Sequence, residues 1–153
     1  TTLRDKVNKF SFYEKETRIK GDKADKITLG YSSYTSPYFT YDKKKRQYLR
    51  YQFGDKHIDK STGKQLMFKN IIIQVVDEWD IDKNGYQTMD ITNASGEGYY
   101  ITDGKAMKIT WTKNEAKKER VYYDSDGKIL KMNPGKTFIS IYPKKRLSQL
   151  CIE

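Results

Sequence analysis

Turn signals recur at short intervals along this chain, and they constrain its fold more than any other feature of the sequence. Asn-Gly and Asp-Gly supply the positive φ angles that two-residue hairpin turns require. The clearest signals are Lys20-Gly21-Asp22, Ser61-Thr62-Gly63, Lys83-Asn84-Gly85, Ser95-Gly96-Glu97-Gly98, Asp103-Gly104, Asp126-Gly127 and Asn133-Pro134-Gly135. Because short runs rich in β-branched and aromatic residues lie between these turns, the pattern predicts a chain of short strands joined by tight turns.

The segments between the turns are rich in β-branched and aromatic residues, and several of them alternate apolar with polar side chains. We predict strands at 8–13, 26–34, 46–53, 68–78, 86–92, 98–102, 105–111, 120–124, 128–132 and 136–142. The pattern as a whole predicts a mainly antiparallel β fold with minor helix.

Three segments carry more specific predictions. The apolar run in 69–78 is nearly continuous, which is typical of a central strand covered on both faces. In 46–53, Arg50 alternates with Leu49 and Tyr51, so we expect its side chain to leave the face that those two residues bury. Residues 143–152 are predicted to form a terminal helix with Leu147, Leu150 and Cys151 facing inward.

Composition excludes several classes of functional site. The chain has 153 residues, of which 14% are aromatic, and this favours a folded domain over a disordered one. It has one cysteine, Cys151, and one histidine, His57. A disulfide framework, a cysteine zinc site and any motif with two histidines are therefore excluded, and we predict neither a metal nor another cofactor. No apolar run approaches the roughly 20 residues of a membrane span.

The formal charge is +10, and it comes mostly from lysine, with 24 Lys against 6 Arg. A surplus of this size is typical of a solvated surface or of a protein that meets an anionic polymer or headgroup. Aromatic residues interleaved with lysine add a nucleic-acid-binding module as an alternative. Bidentate recognition of bases and phosphates favours Arg, so the lysine bias makes nucleic acid the least favoured partner.

The segment 80–85 matches the opening of a calcium-binding loop, since Asp80, Asp82, Asn84 and Gly85 stand at the expected spacing. The twelfth position of such a loop requires a bidentate Glu, and Ile91 stands there. We therefore predict a hairpin connection that does not need calcium.

A polar cluster is predicted around the single histidine. The strand that carries Arg50 leads into a loop that contains His57 and Asp59, and this loop can fold back over the end of the strand. Three interpretations remain open: a structural cluster, a ligand or partner site, and a hydrolase-type enzyme using His57 and Asp59. The enzyme needs a nucleophile or a metal, and the sequence offers no compelling candidate for either.

An ordered series of motifs resembles the C-terminal domain of the YerB-like lipoproteins of Gram-positive bacteria over roughly residues 40–143. The order and spacing carry the resemblance more than any single motif does. The motifs are Tyr48-Leu49-Arg50, His57-Ile58-Asp59, Thr62-Gly63, Asn70-Ile71-Ile72-Ile73, Gly96-Glu97-Gly98, Gly104, Trp111-Thr112-Lys113, Asp126-Gly127 and Asn133-Pro134-Gly135-Lys136-Thr137-Phe138-Ile139.

The resemblance implies a domain organisation and a location. Residues 1–40 would be the end of a preceding domain or an N-terminal extension packed on the core. Residues 41–143 would be the β-rich C-terminal part of an α+β fold, and 144–153 a basic tail. The full-length protein would be extracytoplasmic, and its contact with the membrane would be a lipid anchor on an N-terminal Cys that this chain lacks.

The resemblance implies no established activity and no catalytic residues. Six residues match the family's recurring polar and aromatic positions and are the predicted ligand or partner-binding residues: Arg50, His57, Asp59, Asn70, Trp111 and Lys113. We therefore expect a non-catalytic domain that binds an envelope protein or an anionic cell-wall polymer at the cell surface.

Overall fold

The computed structural model describes residues 11–30, 37–52, 55–58, 60–76, 80–81, 87–88, 95–114 and 119–153. Within these ranges the chain is mostly strand, with one short 3-10 helix at Lys144–Gln149. The prediction of a mainly antiparallel β fold with minor helix is confirmed. In the same ranges, no helix has both the length and the apolar character that crossing a bilayer demands.

The central sheet has six strands, ordered β13-β12-β11-β8-β15, with β2 paired to β12. Its longest hairpin joins β11 to β12 through Asp103 and Gly104, which have φ angles of 50° and 78° as a two-residue turn of this type requires. The strands are β2 (Asp22–Lys23), β8 (Asn70–Val76), β11 (Ser95–Thr102), β12 (Lys105–Asn114), β13 (Glu119–Tyr123) and β15 (Thr137–Pro143).

The outer sheet also has six strands, ordered β16-β3-β4-β5-β6, with β7 paired to β5 beside β6. Two further short pairs complete the described structure: β1 runs parallel to β14, and β9 runs antiparallel to β10. The strands are β1 (Ser11–Phe12), β3 (Lys26–Thr28), β4 (Tyr38–Asp42), β5 (Gln47–Gln52), β6 (Asp55–Lys56), β7 (Met67–Phe68), β9 (Asp80–Ile81), β10 (Gln87–Thr88), β14 (Lys131–Met132) and β16 (Cys151–Ile152).

Strand β8 lies inside the central sheet, antiparallel to β11 and parallel to β15, and all seven of its residues are buried. Ile71, Ile73 and Val75 pack against the outer sheet, whereas Ile72 and Val76 belong to a second apolar cluster on the opposite face. The predicted central strand is therefore confirmed over 70–76, and residues 77–78 lie outside the described ranges. The parallel pairing with β15 is a feature that the turn pattern did not predict.

Arg50 lies on the face of β5 away from Leu49 and Tyr51, as predicted, but the prediction that those two residues mark the buried face is wrong. Arg50 shares a face of β5 with Tyr48, which is fully buried, and it lies opposite buried Phe39 on β4. The prediction failed because both faces of this strand carry large apolar residues, so alternation did not reveal which face points to the core. Leu49 and Tyr51 lie on the outward face and are half-buried.

The predicted terminal helix is also wrong in length and type. The 3-10 helix ends at Gln149, and residues 151–152 form strand β16, which pairs with β3. Leu147 and Leu150 pack against the core as expected, but Cys151 is exposed. The helix begins at Pro143 without a side-chain cap, and pairing at the sheet edge outweighs its weak helical pattern.

Two other predictions fall partly outside the described ranges. Strands β9 and β10 pair across 82–86, as the predicted hairpin connection requires, but residues 82–86 themselves are not among those described. The predicted domain boundaries remain a prediction, although strands β2, β3 and β16 extend both sheets with residues from outside 41–143.

Candidate functional site

Arg50 and His57 lie in contact on the edge of the outer sheet, where β6 and β7 both pair with β5. The Arg50 Nε–H donates to His57 Nδ1 at 3.1 Å, and the backbone of the two residues is joined by the His57 N–H to Arg50 carbonyl bond of 3.0 Å. Gln65 Nε2 donates to the same Arg50 carbonyl at 2.7 Å. Arg can only donate, so His57 Nδ1 accepts, and the neutral imidazole carries its proton on Nε2.

The Arg50 guanidinium stacks on a group of three phenylalanines between the sheets. It lies 4.6 Å from the centroid of the Phe138 ring and 5.3 Å from that of Phe39. Phe68 completes the group with edge contacts to both rings, and Lys136 Nζ lies 4.9 Å above Phe68. Two cations therefore flank one aromatic cluster, and the ring contacts help to hold Arg50 in place.

A groove of about 340 Å³ opens beside this cluster, and we call it the edge groove. It runs between the segment 62–67 and the turn at 134–136, and the lining residues within the described part of the chain include no carboxylate. The lining residues are Gln47, Thr62, Lys64, Gln65, Leu66, Met67, Lys69, Pro134, Gly135 and Lys136.

The three lysines of the edge groove differ in their partners. Lys69 is 8% exposed, and its Nζ binds both Asp103 Oδ1, at 2.7 Å, and Glu16 Oε1. Lys64 and Lys136 are exposed, and neither forms a salt bridge with any carboxylate in the described part of the chain. The groove therefore presents two cations that are not neutralised locally.

A buried polar network, which we call the polar seam, lies next to the groove. Tyr100 O–H donates to Asn70 Oδ1 at 2.8 Å, and Asn70 Nδ2 donates to the Asn133 carbonyl at 2.8 Å. Asn133 Nδ2 donates to Thr17, Thr102 and Asp103. The seam consists of Glu16, Thr17, Lys69, Asn70, Tyr100, Thr102, Asp103 and Asn133. Every one of these residues has a hydrogen-bond or ion-pair partner within the seam, Thr17 through its backbone, so the seam holds segments of the chain together.

Two buried tyrosine hydroxyls tie the seam to its surroundings. Tyr48 O–H donates to the Ala24 carbonyl at 2.8 Å and accepts from the Gly104 N–H at 3.0 Å. Burial raises the pKa of Tyr48 and of Tyr100 far above the ordinary value of 10.0. Both hydroxyls therefore stay protonated and keep donating at neutral pH.

The remaining predicted site residues lie elsewhere. Trp111 is 2% exposed on β12, and its Nε1–H donates to the Val75 carbonyl at 2.9 Å. A Cβ on Gly96 would lie 2.8 Å from that nitrogen, so glycine is required there. Lys113 is half-buried on the same strand, opposite Arg120. The structure brings together Arg50 and His57, whereas Asn70, Trp111 and Lys113 belong to the central sheet. Asp59 lies outside the described residues.

A larger cleft of about 580 Å³ lies beside the 3-10 helix. Its walls include Tyr99 and Leu147, and its charged residues are balanced in sign: Glu97, Lys108, Asp124 and Lys144. Unlike the edge groove, the cleft has no net charge with which to select an ion. Among the described residues there is also no group of three or more His, Cys, Asp and Glu side chains suited to a metal ion.

The sequence did not identify Lys64, Lys136 or the three phenylalanines as residues of the candidate site. Lys136 directly follows the Asn133-Pro134-Gly135 turn, and this position was the one available signal. Gly135 has a φ of 141°, and a Cβ there would lie 2.6 Å from Lys69 Cβ. Only glycine lets the turn approach Lys69 and present Lys136 to the groove.

The chain matches a protein family, a curated protein sequence and a solved structure. Residues 27–139 match the family described as "Protein of unknown function (DUF3048) C-terminal domain". Over 105 residues, or 69% of its length, the chain is 32% identical to "Putative lipoprotein YerB" of Bacillus subtilis (strain 168). The crystal structure of YerB protein from Bacillus subtilis matches 94% of the chain with a TM-score of 0.73 and 26% identity.

The chain spans only part of these relatives. It covers 30% of the curated YerB sequence and 46% of the YerB chain in the crystal structure. The family to which the sequence motifs pointed is the one that the comparisons find, so the predicted resemblance is confirmed.

Proposed function

The chain belongs to the family described as protein of unknown function (DUF3048) C-terminal domain, and from this premise we propose that it is a non-catalytic domain that binds an anionic cell-wall polymer through the edge groove. Its B. subtilis relative is named as a lipoprotein. We further propose that the full-length protein is extracytoplasmic and lipid-anchored. Such an anchor would hold the groove close to the polymers that surround the membrane.

One observation carries the proposal: Lys64 and Lys136 face the same groove, and none of the described residues that line it carries a carboxylate. A pair of cations that share a water-exposed groove attracts a chain of negative charges more strongly than the same cations spread over a surface. Lys69 does not add to this field, because Asp103 and Glu16 neutralise it.

The chemistry of the groove favours phosphate groups along a flexible chain. Lysine acts on phosphate as a mobile point charge and does not require a fixed planar geometry. The other polar lining groups are Gln47, Thr62 and Gln65, which offer neutral hydrogen bonds to the linking units of a polymer.

The contact between Arg50 and His57 supports a binding role over a hydrolase. His57 Nδ1 already accepts from Arg50 Nε, and its Nε2 carries the proton. An imidazole in this state has no free lone pair with which to take a proton from water or from a nucleophile. Arg50 stacks on Phe138 at 4.6 Å and so adds positive charge behind the groove.

The proposal is tested by the affinity of the chain for poly(glycerol phosphate), measured by isothermal titration at several salt concentrations. We expect a linear fall of log Kobs with log salt. In Lys64→Gln/Lys136→Gln, the magnitude of this slope should drop by about 2, or about one per cation removed. Neutral dextran serves as the uncharged probe and should not bind.

The matched control is Lys43→Gln/Lys128→Gln, which removes the same charge from two exposed positions outside the groove. This control should keep the wild-type slope. If both double variants lost the same amount of slope, binding would depend on total surface charge. This result would contradict the proposal that the polymer binds in the edge groove. Binding to an envelope protein that is unaffected by free polymer would favour the protein-partner alternative.

A further inference from the structure

We propose that the polar seam forms a covalent cross-link, an amide bond between the Lys69 side-chain amine and the Asp103 side-chain carboxyl group. Glu16 would relay the protons. The bond would join the start of β8 to the turn between β11 and β12, and it would be independent of any ligand in the edge groove.

The reacting groups are already in contact. Lys69 Nζ lies 2.7 Å from Asp103 Oδ1, and the side chains are 10% and 8% exposed. Thr102, the residue before Asp103, stands opposite Asn70, the residue after Lys69. The sheet register and the hairpin turn therefore hold the amine against the carboxyl group.

Glu16 stands where a proton relay is needed. Its Oε1 contacts Lys69 Nζ, and its Oε2 is held by Arg46 Nη1 at 2.5 Å. The Glu16 side chain is 28% exposed, so it lies between the buried pair and solvent. Lys69 Nζ makes one further contact, with the Arg46 carbonyl at 3.2 Å.

Asp103 is also surrounded by hydrogen-bond donors. Tyr41 O–H donates to Oδ1 at 3.4 Å, and Asn133 Nδ2 donates to Oδ2 at 3.3 Å. These donors point at the atoms on which negative charge develops when the carboxyl carbon is attacked. The carboxyl group is therefore both fixed in position and polarised.

The reaction balances without a cofactor. Glu16 accepts a proton from the Lys69 ammonium and passes it to the Asp103 carboxylate, which gives a neutral amine and a neutral acid. The amine lone pair attacks Asp103 Cγ and forms the C–N bond. The C–O bond then breaks, and Glu16 moves the proton from nitrogen to the departing hydroxyl, so that one water leaves.

Two physical effects favour this reaction in the folded chain. Groups held in reactive geometry reach effective molarities of about 10⁵–10⁸ M, which offsets the unfavourable condensation seen in dilute solution. A buried ion pair also carries a large desolvation penalty, and conversion to a neutral amide removes it. The exposed pair Lys23 and Asp25, at 3.6 Å, has neither advantage.

The test is the intact mass of the purified chain, followed by tandem mass spectrometry of its peptides. We expect a mass below the sequence mass by one water, and a branched peptide that joins Lys69 to Asp103. Lys69→Arg and Glu16→Gln should both keep the full sequence mass, because the first lacks a nucleophilic amine and the second lacks the relay. Lys23→Arg should show the same loss of water as the wild type.

An Asp-Gly sequence such as Asp103-Gly104 can also lose water by cyclising to a succinimide, and the variants separate the two products. A succinimide survives in Lys69→Arg and gives no branched peptide, so this outcome would overturn the proposal. A wild-type chain of full sequence mass would overturn it as well, as would a branch joining Lys69 to Glu16. Since the mass of the wild-type chain together with its Lys69–Asp103 branched peptide decides the main point, failure of a variant to fold leaves the test intact.

Discussion

The polar seam and the edge groove lie side by side, and Lys69 borders both. In the centre of the seam the polar side chains are buried and partnered, as Asn70 is by Tyr100, Asn133 and Thr137, and only its edge at Glu16 and Thr17 is exposed. In the groove Lys64 and Lys136 are exposed, and no carboxylate among the residues that the structure describes forms a salt bridge with either. The same residue types therefore serve structure in one region and are available for binding in the other, and burial decides which.

The largest expected effect comes from breaking the seam. Asn70→Ala removes the partner of the Tyr100 hydroxyl and of the Asn133 carbonyl, both buried, and should lower the free energy of unfolding by about 3 kcal/mol. Lys136→Ala is the matched change in the groove and should cost under about 0.5 kcal/mol. Urea denaturation of both variants measures the difference. Equal losses of unfolding free energy in the two variants would contradict the view that the seam stabilises the fold and the groove does not.

A second expected effect is a loss of stability in alkali, which depends on Tyr100 in the seam and on Tyr48 outside it. Burial raises the pKa of Tyr48 and Tyr100 above the ordinary value of 10.0, so the folded state binds more protons than the unfolded state above that pH. Stability should be fully present below about pH 10 and should fall by about 1.4 kcal/mol per pH unit for each tyrosine above it.

Urea midpoints at a series of pH values between 8 and 11 measure this slope. Tyr48→Phe and Tyr100→Phe remove the ionising groups, so each variant should be less stable at neutral pH and less sensitive to alkali. Variants with the wild-type slope would show that other groups cause the alkaline loss.

A smaller effect is expected at the boundary of the groove. His57→Ala leaves Arg50 Nε without its acceptor in a half-buried position and should cost about 1 kcal/mol. His57→Gln offers an amide oxygen in place of Nδ1 and should recover part of the loss. Thermal unfolding compares the two variants. A loss in His57→Gln as large as that in His57→Ala would show that packing of the ring, not the hydrogen bond, is what matters.

Much of the fold was accessible from the sequence because turns and apolar runs are local signals. The nearly continuous apolar run in 69–78 identified the central strand, and Asp103-Gly104 identified a hairpin turn. The parallel pairing of β8 with β15 was not accessible, because it joins segments that lie far apart in the chain. The inward orientation of Arg50 depends on Phe39 and Phe138, which belong to other strands.

The site was accessible only in part, for a related reason. The contact between Arg50 and His57 follows from a short loop beside a strand, so local spacing predicted it. The groove combines the segment 62–67 with the turn at 134–136, and no spacing rule connects them. Asn70 and Trp111 stood out in the sequence as polar and aromatic positions, and their burial became visible only in the folded chain.

The most direct test of the central claim is a map of backbone amide chemical shifts during titration with poly(glycerol phosphate). We expect the amide signals of Lys64, Gln65 and Lys136 to shift, while those of Asn70, Tyr100 and Asn133 in the seam stay in place. Shifts centred on Tyr99 and Lys108 in the larger cleft, or spread evenly over exposed lysines, would contradict it.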